Sequence, residues 1–158
     1  MGREVRTRQQ NLSLENQIDS LFWFREKLKQ MTLEEQIQYR VDIAESDVSV
    51  AKELLEKERF IYCLFFGHLF LEKILKAHYV KDTNEVPPKI HDLVKLIRKT
   101  KIDYSPELIE FLNRVNDFQI ESRYPDYKTQ LYKTLDKKYT EENFDKILEV
   151  YQWLKSQL

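Results

Sequence analysis

The chain has 158 residues, a length that suits one domain burying roughly two-thirds of its unfolded surface. Twenty-six basic and 27 acidic residues leave a net charge of −1, which argues against a generally basic nucleic-acid binder and against an acidic disordered tail. Two glycines and four prolines are too few for the turns of an all-β sandwich or barrel, or for the glycine loops of a nucleotide-binding α/β fold. A soluble helical domain remains. The single cysteine, Cys63, has no intramolecular partner, and a reducing, cytoplasmic location fits it. Charged residues interrupt every apolar stretch in residues 1–30, so no signal peptide is expected. The charge-free run from Phe60 to Leu71 is far short of the roughly 20 residues that span a bilayer, and no membrane association is expected.

Taken in chain order, the apolar spacing is helical. Residues 13–30 set Leu14, Ile18, Leu21, Phe22 and Leu28 on one stripe. Thr32 to Glu35 matches a capping box, so a second helix starts there and carries Ile37, Val41, Ile43, Ala44, Val48, Ala51, Leu54 and Leu55 at mostly 3–4 spacing. The third, about 58–80, is apolar nearly all round and reads as the central buried helix. Pro87-Pro88 breaks the chain, and a short helix comes next at about 91–100. Ser105-Pro106 reads as an N-cap and first-turn proline opening a helix to about 122, and Pro125 interrupts a region that would otherwise continue as helix. Thr140-Glu141-Glu142 reads as the start of the last helix, with acids in its first turn. The expected fold is all-α: an antiparallel up-and-down bundle of about five core helices with an extra N-terminal helix. Residues 1–35 are expected to form a helical extension and residues 36–158 the bundle domain.

The usual catalytic and cofactor signatures are absent. There is no glycine-rich phosphate loop, CxxC pair, HExxH motif or nucleophile elbow. His78 and His91 lack a third ligand, so no metal site is expected. Charge is more informative. Between Lys73 and Lys101 eight basic residues face three acids, a local charge of +5 that suits phosphate or else a solvated face. His68 sits in register with Leu64, Leu71 and Leu75 and reads as a core histidine bonded to a carbonyl or carboxylate, with Glu72 at i+4. Trp23 and Trp153 read as core or interface aromatics.

Several segments, in order, resemble the HEPN domain family over residues 40–158. They are Ala51-Lys-Glu-Leu-Leu55, Arg59-Phe60-Ile61-Tyr62, Phe65-Phe66-Gly67-His68-Leu69 and Leu71-Glu72-Lys73-Ile74-Leu75-Lys76-Ala77. Pro87-Pro88-Lys89-Ile90-His91-Asp92-Leu93 and Arg123-Tyr124-Pro125-Asp126 complete the set. The resemblance implies a bundle of about five helices that forms a homodimer. It also implies a minimal nucleotidyltransferase partner, the two acting as a toxin–antitoxin pair. Active members are metal-independent ribonucleases that use an Arg succeeded, after four to six residues, by a His. Arg123 matches that arginine, but positions 128–130 are Lys128, Thr129 and Gln130, and no other arginine has a histidine at this offset. Imidazole is the group that moves protons near neutral pH, whereas a guanidinium holds phosphate charge and is no base. A non-catalytic module is therefore expected, with a divergent ribonuclease and a purely structural interaction protein as alternatives. In some family pairs the partner adds AMP to a tyrosine, and Tyr124, Tyr127 and Tyr132 lie near Arg123.

The residues expected to face a nucleotide or RNA phosphate are Arg123, His91, Lys76, Lys73, Lys128 and Tyr124. Those expected to be structural polar groups are His68, Glu72, Asp92 and Asp126, with Asp92 an N-cap for the short helix. For Arg123, His91 and Asp92 the residues alone leave both the structural and the phosphate-facing role open. No cofactor is expected beyond such a nucleotide ligand.

Overall fold

The structure is a computed structural model that describes residues 22–23, 26–123 and 135–158, with the side chains of 120–123 left undescribed. Five helices are bounded within it: α1 (Leu33–Glu56), α2 (Phe60–Thr83), α3 (Leu93–Ile97), α4 (Pro106–Arg123) and α5 (Lys137–Ser156). Among the described residues there is no strand. The chain divides into two compact units, Met1–Gln36 and Ile37–Leu158. In the first, residues 26–30 are helical, Lys27 Nζ lies 4.7 Å from the Trp23 ring centroid, and Trp23 is exposed rather than core.

Local chemistry explains most helix ends. Thr32 Oγ1 accepts from Glu35 N at 3.2 Å, and Glu35 Oε2 accepts from Thr32 N at 2.8 Å, so the capping box that opens α1 is closed in both directions. The turn into α2 contains neither glycine nor proline. Glu58 takes a left-handed φ of 54° there, and Arg59 N donates to Leu54 O at 2.8 Å. Asn84, also left-handed, ends α2. Ser105 Oγ accepts from Leu108 N at 3.2 Å at the start of α4, ahead of Pro106 in its first turn.

The last helix starts earlier than expected. Asp136 is its N-cap, accepting from Tyr139 N at 2.7 Å. Thr140 is buried, and its hydroxyl donates back to Asp136 O at 2.8 Å instead of capping. The acids Glu141 and Glu142 therefore fall beyond the first turn.

In the second unit α2 is the hub, packing against α3, α4 and α5. Its buried residues recur all round the helix, from Ile61 to Val80, as the sequence predicts for a central helix. Val41, Ala44, Val48 and Ala51 of α1 complete the core, and Phe70 makes edge contacts with Phe144 and Tyr151. The long helices alternate in direction, but α2 and α5 run the same way and touch along their length. Gly67 faces Ile147 near one end, and His78 Nε2 bonds to Leu154 O at 2.8 Å near the other. A Cβ on Gly67 would stand 2.9 Å from Ile147 Cδ1, so this glycine sets how closely the two helices approach.

Candidate functional site

The described part of the site is built on one face of α2 and the loop entering α3. Glu72 is 7 % exposed and is the one charged residue buried on α2. Its Oε1 accepts from Lys76 Nζ at 2.7 Å, one turn along the same face. Both of its oxygens lie 3.1 Å from His91 Nδ1. Burial works to raise the Glu72 carboxyl pKa, but Lys76 and then His91 outweigh it and hold the group below the usual carboxylate range. An ionised carboxylate only accepts, so Nδ1 of His91 carries a proton. The His91 side chain is 54 % exposed, against 10 % for Glu72: a buried acid holds an exposed imidazole.

His68 lies behind this pair with no exposure. Its Nε2 donates to the backbone carbonyl of His91 at 2.9 Å. Its Nδ1 is buried, makes no hydrogen bond, and sits 3.9 Å from Glu72 Oε2. Burial pushes the His68 pKa down to about 4 against the opposing pull of Glu72, so the ring is neutral at pH 7 and Nδ1 is a bare acceptor. The carbonyl that His68 reaches is 23 residues away. The Glu72 contact at i+4 is one of proximity.

Asp92 caps α3, accepting from Val94 N at 2.9 Å and Lys95 N at 3.1 Å. Asn116 of α4 receives Leu93 N at 2.9 Å and donates to Asp92 Oδ1 at 3.0 Å, tying α4 to the same turn. Nothing in the local pattern singled out Asn116, since it stands beside Asp117 in a polar step of the helix and its partners are 23 and 24 residues distant.

The basic segment is less available than its formal charge suggests. Lys73 pairs with Asp47 of α1, and Lys76 with Glu72, so two lysines expected to meet phosphate are each held by a carboxylate. The side chain of Arg123, and all of Tyr124, Asp126 and Lys128, lie outside the described residues. His78 and His91, the pair weighed for a metal, are committed to Leu154 O and to Glu72. Among the described residues no group of three His, Cys, Asp or Glu is arranged to hold a metal ion. Trp153, read as a core or interface aromatic, is 38 % exposed and stands between two clefts of about 510 and 280 Å3, both of which also include Asp103.

A family model described as the HEPN domain matches residues 37–157, well over half of the chain. The chain belongs to the HEPN domain family. No curated protein and no solved structure matches it significantly. The matched HEPN region contains the whole Glu72–His91–His68 cluster, the Asp92 cap and the Arg123 segment. It contains no arginine with a histidine five to seven positions on. Among the described residues no helix is long and apolar enough to cross a membrane.

Proposed function

We propose that this HEPN domain is a dimeric interaction module without the usual ribonuclease activity. It pairs with a minimal nucleotidyltransferase and holds a nucleotide or RNA phosphate near Arg123 and His91. The observation that carries this reading is the sequence after Arg123, where Lys128, Thr129 and Gln130 stand in place of a histidine. Without an imidazole at that offset the arginine is left as an anion-binding group. His91 supports the same reading from the described side. Its ring is held outward by Glu72, with the exposed Lys89 on the same loop and the exposed Lys95 in α3. Lys73 and Lys76 act here as internal counter-charges, with Lys128 and Tyr124, close to Arg123 in the sequence, as further phosphate contacts.

The test is to purify the protein, measure its mass by light scattering, and record its melting temperature with AMP, ATP and a short RNA. A dimer stabilised by one of these ligands, leaving the RNA whole in the presence of a chelator, is expected. Ligand at 100 times its dissociation constant would add about 2.7 kcal/mol. A monomer that no nucleotide or RNA stabilises would overturn the reading. Co-purification of a nucleotidyltransferase from the native host tests the partner.

One observation favours a second reading. The carboxylate-held His91 supplies an imidazole that the Arg123 segment lacks, so a divergent metal-independent endoribonuclease would cleave RNA and lose that activity in both Arg123→Ala and His91→Gln.

A further inference from the structure

The loop entering α3 is fastened to the bundle without the His91 imidazole. The His91 carbonyl accepts from His68 Nε2, Asp92 caps α3, Asn116 clasps Asp92 and Leu93 N, and Ile90 packs on the core. The ring is surplus to that anchoring, yet it is held: Nδ1 is 3.1 Å from each oxygen of Glu72. In the neutral ring, a proton on Nδ1 leaves Nε2 as a lone pair. Among the described residues it makes no hydrogen bond, on a side chain that is 54 % exposed. A buried carboxylate behind an outward-facing imidazole nitrogen is the arrangement of an activated nucleophile.

We propose that His91 Nε2 is a phosphoryl-acceptor site, a position at which the protein is modified by a phosphoramidate or phosphoanhydride donor. The Nε2 lone pair attacks phosphorus and a P–N bond forms. The bond from phosphorus to the donor's leaving nitrogen or oxygen breaks, and the leaving group takes the electron pair. The ring becomes positive, its proton stays on Nδ1, and the Glu72 carboxylate compensates the charge. The exposed Lys89, and Lys95 with its Nζ 3.8 Å from Asp92 Oδ2, favour an anionic donor over a neutral acylating one. The half-exposed setting suits transfer onto the protein from outside rather than turnover inside a water-excluding pocket. The other two histidines are not competitors: His68 and His78 are 0 % and 2 % exposed, and each commits Nε2 to a backbone carbonyl.

The proposal rests on the function proposed above only in taking this end of the domain to face phosphate. The full chain is incubated with potassium phosphoramidate at neutral pH and monitored by 31P NMR and intact mass. One acid-labile phosphoryl group per chain, on Nε2, is expected, and none in His91→Gln. Glu72→Gln should react about tenfold more slowly, equivalent to about 1.4 kcal/mol of barrier. Imidazole 15N NMR of the unmodified protein gives a readout that needs no variant to fold: His91 should carry its proton on Nδ1. No adduct, an adduct on another histidine, an unchanged rate in Glu72→Gln, or a proton on Nε2 would overturn the proposal. AMP binding without an adduct overturns it alone. An adduct without nucleotide or RNA binding overturns only the ligand reading.

Discussion

Glu72 shows how a charge is kept on the buried central helix α2. Desolvation opposes its ionised form, and a lysine one turn away plus an imidazole from a distant loop offset that cost. At His68 the balance goes the other way: burial outweighs the pull of Glu72, the His91 carbonyl and Asn116. The folded pKa of His68 is about 4 against an ordinary value of 6.5, so between these values the unfolded chain binds a proton that the folded chain does not. Stability therefore falls as pH drops from about 6.5 towards about 4, by up to about 3 kcal/mol from this residue. His78, lowered by burial against the pull of the Leu154 carbonyl, acts with the same sign. Urea midpoints at pH 7 and pH 4.5 check this, and an equal midpoint at both would contradict it. The i+4 spacing made His68 and Glu72 legible as a pair in the sequence. Their joint attachment to His91 was not, because no local period links positions 19 and 23 residues apart.

At the scale of elements, the close approach of α2 and α5 depends on Gly67. Gly67→Val would drive new atoms into Ile147 and should cost about 1–3 kcal/mol, read from chemical denaturation. The α1–α2 turn offers a change of opposite sign. Glu58 stands in a left-handed conformation that glycine adopts without strain, so Glu58→Gly should raise stability by about 0.5 kcal/mol. Removal of the α3 cap in Asp92→Ala should cost about 1–2 kcal/mol, since it also strips Asn116 of its acceptor. Thr32, Glu35, Ser105 and Pro106 were readable because a cap is written within four residues. The start of α5 was misread because Thr140 and Asp136 both have capping chemistry, and burial of Thr140 turned its hydroxyl back along the helix. The parallel contact of α2 and α5 left no mark in either helix's periodicity, which reports a buried face but not its neighbour's direction.

For the whole molecule, the near-zero net charge and the local basic segment point to steering rather than bulk attraction. The ion pairs of Lys73 with Asp47 and Lys76 with Glu72 remove two charges from the formal +5, so binding should depend on few phosphate contacts. Raising salt from 50 to 200 mM should then weaken RNA binding by about tenfold or less, well below the loss seen with extended basic surfaces. The helical class was legible from composition and the central helix from its all-round apolarity. The mating of the loop histidine with a buried acid emerges only from the packed bundle.

The most direct measurement is to titrate a short labelled single-stranded RNA with the purified full chain in the presence of a chelator, then run the same samples on a denaturing gel. Saturable binding of RNA that stays intact, weakened in His91→Gln and in Arg123→Ala, is the expected result. RNA that is cut by the wild type and spared by Arg123→Ala would contradict it, as would the absence of binding to this RNA and to AMP and ATP alike.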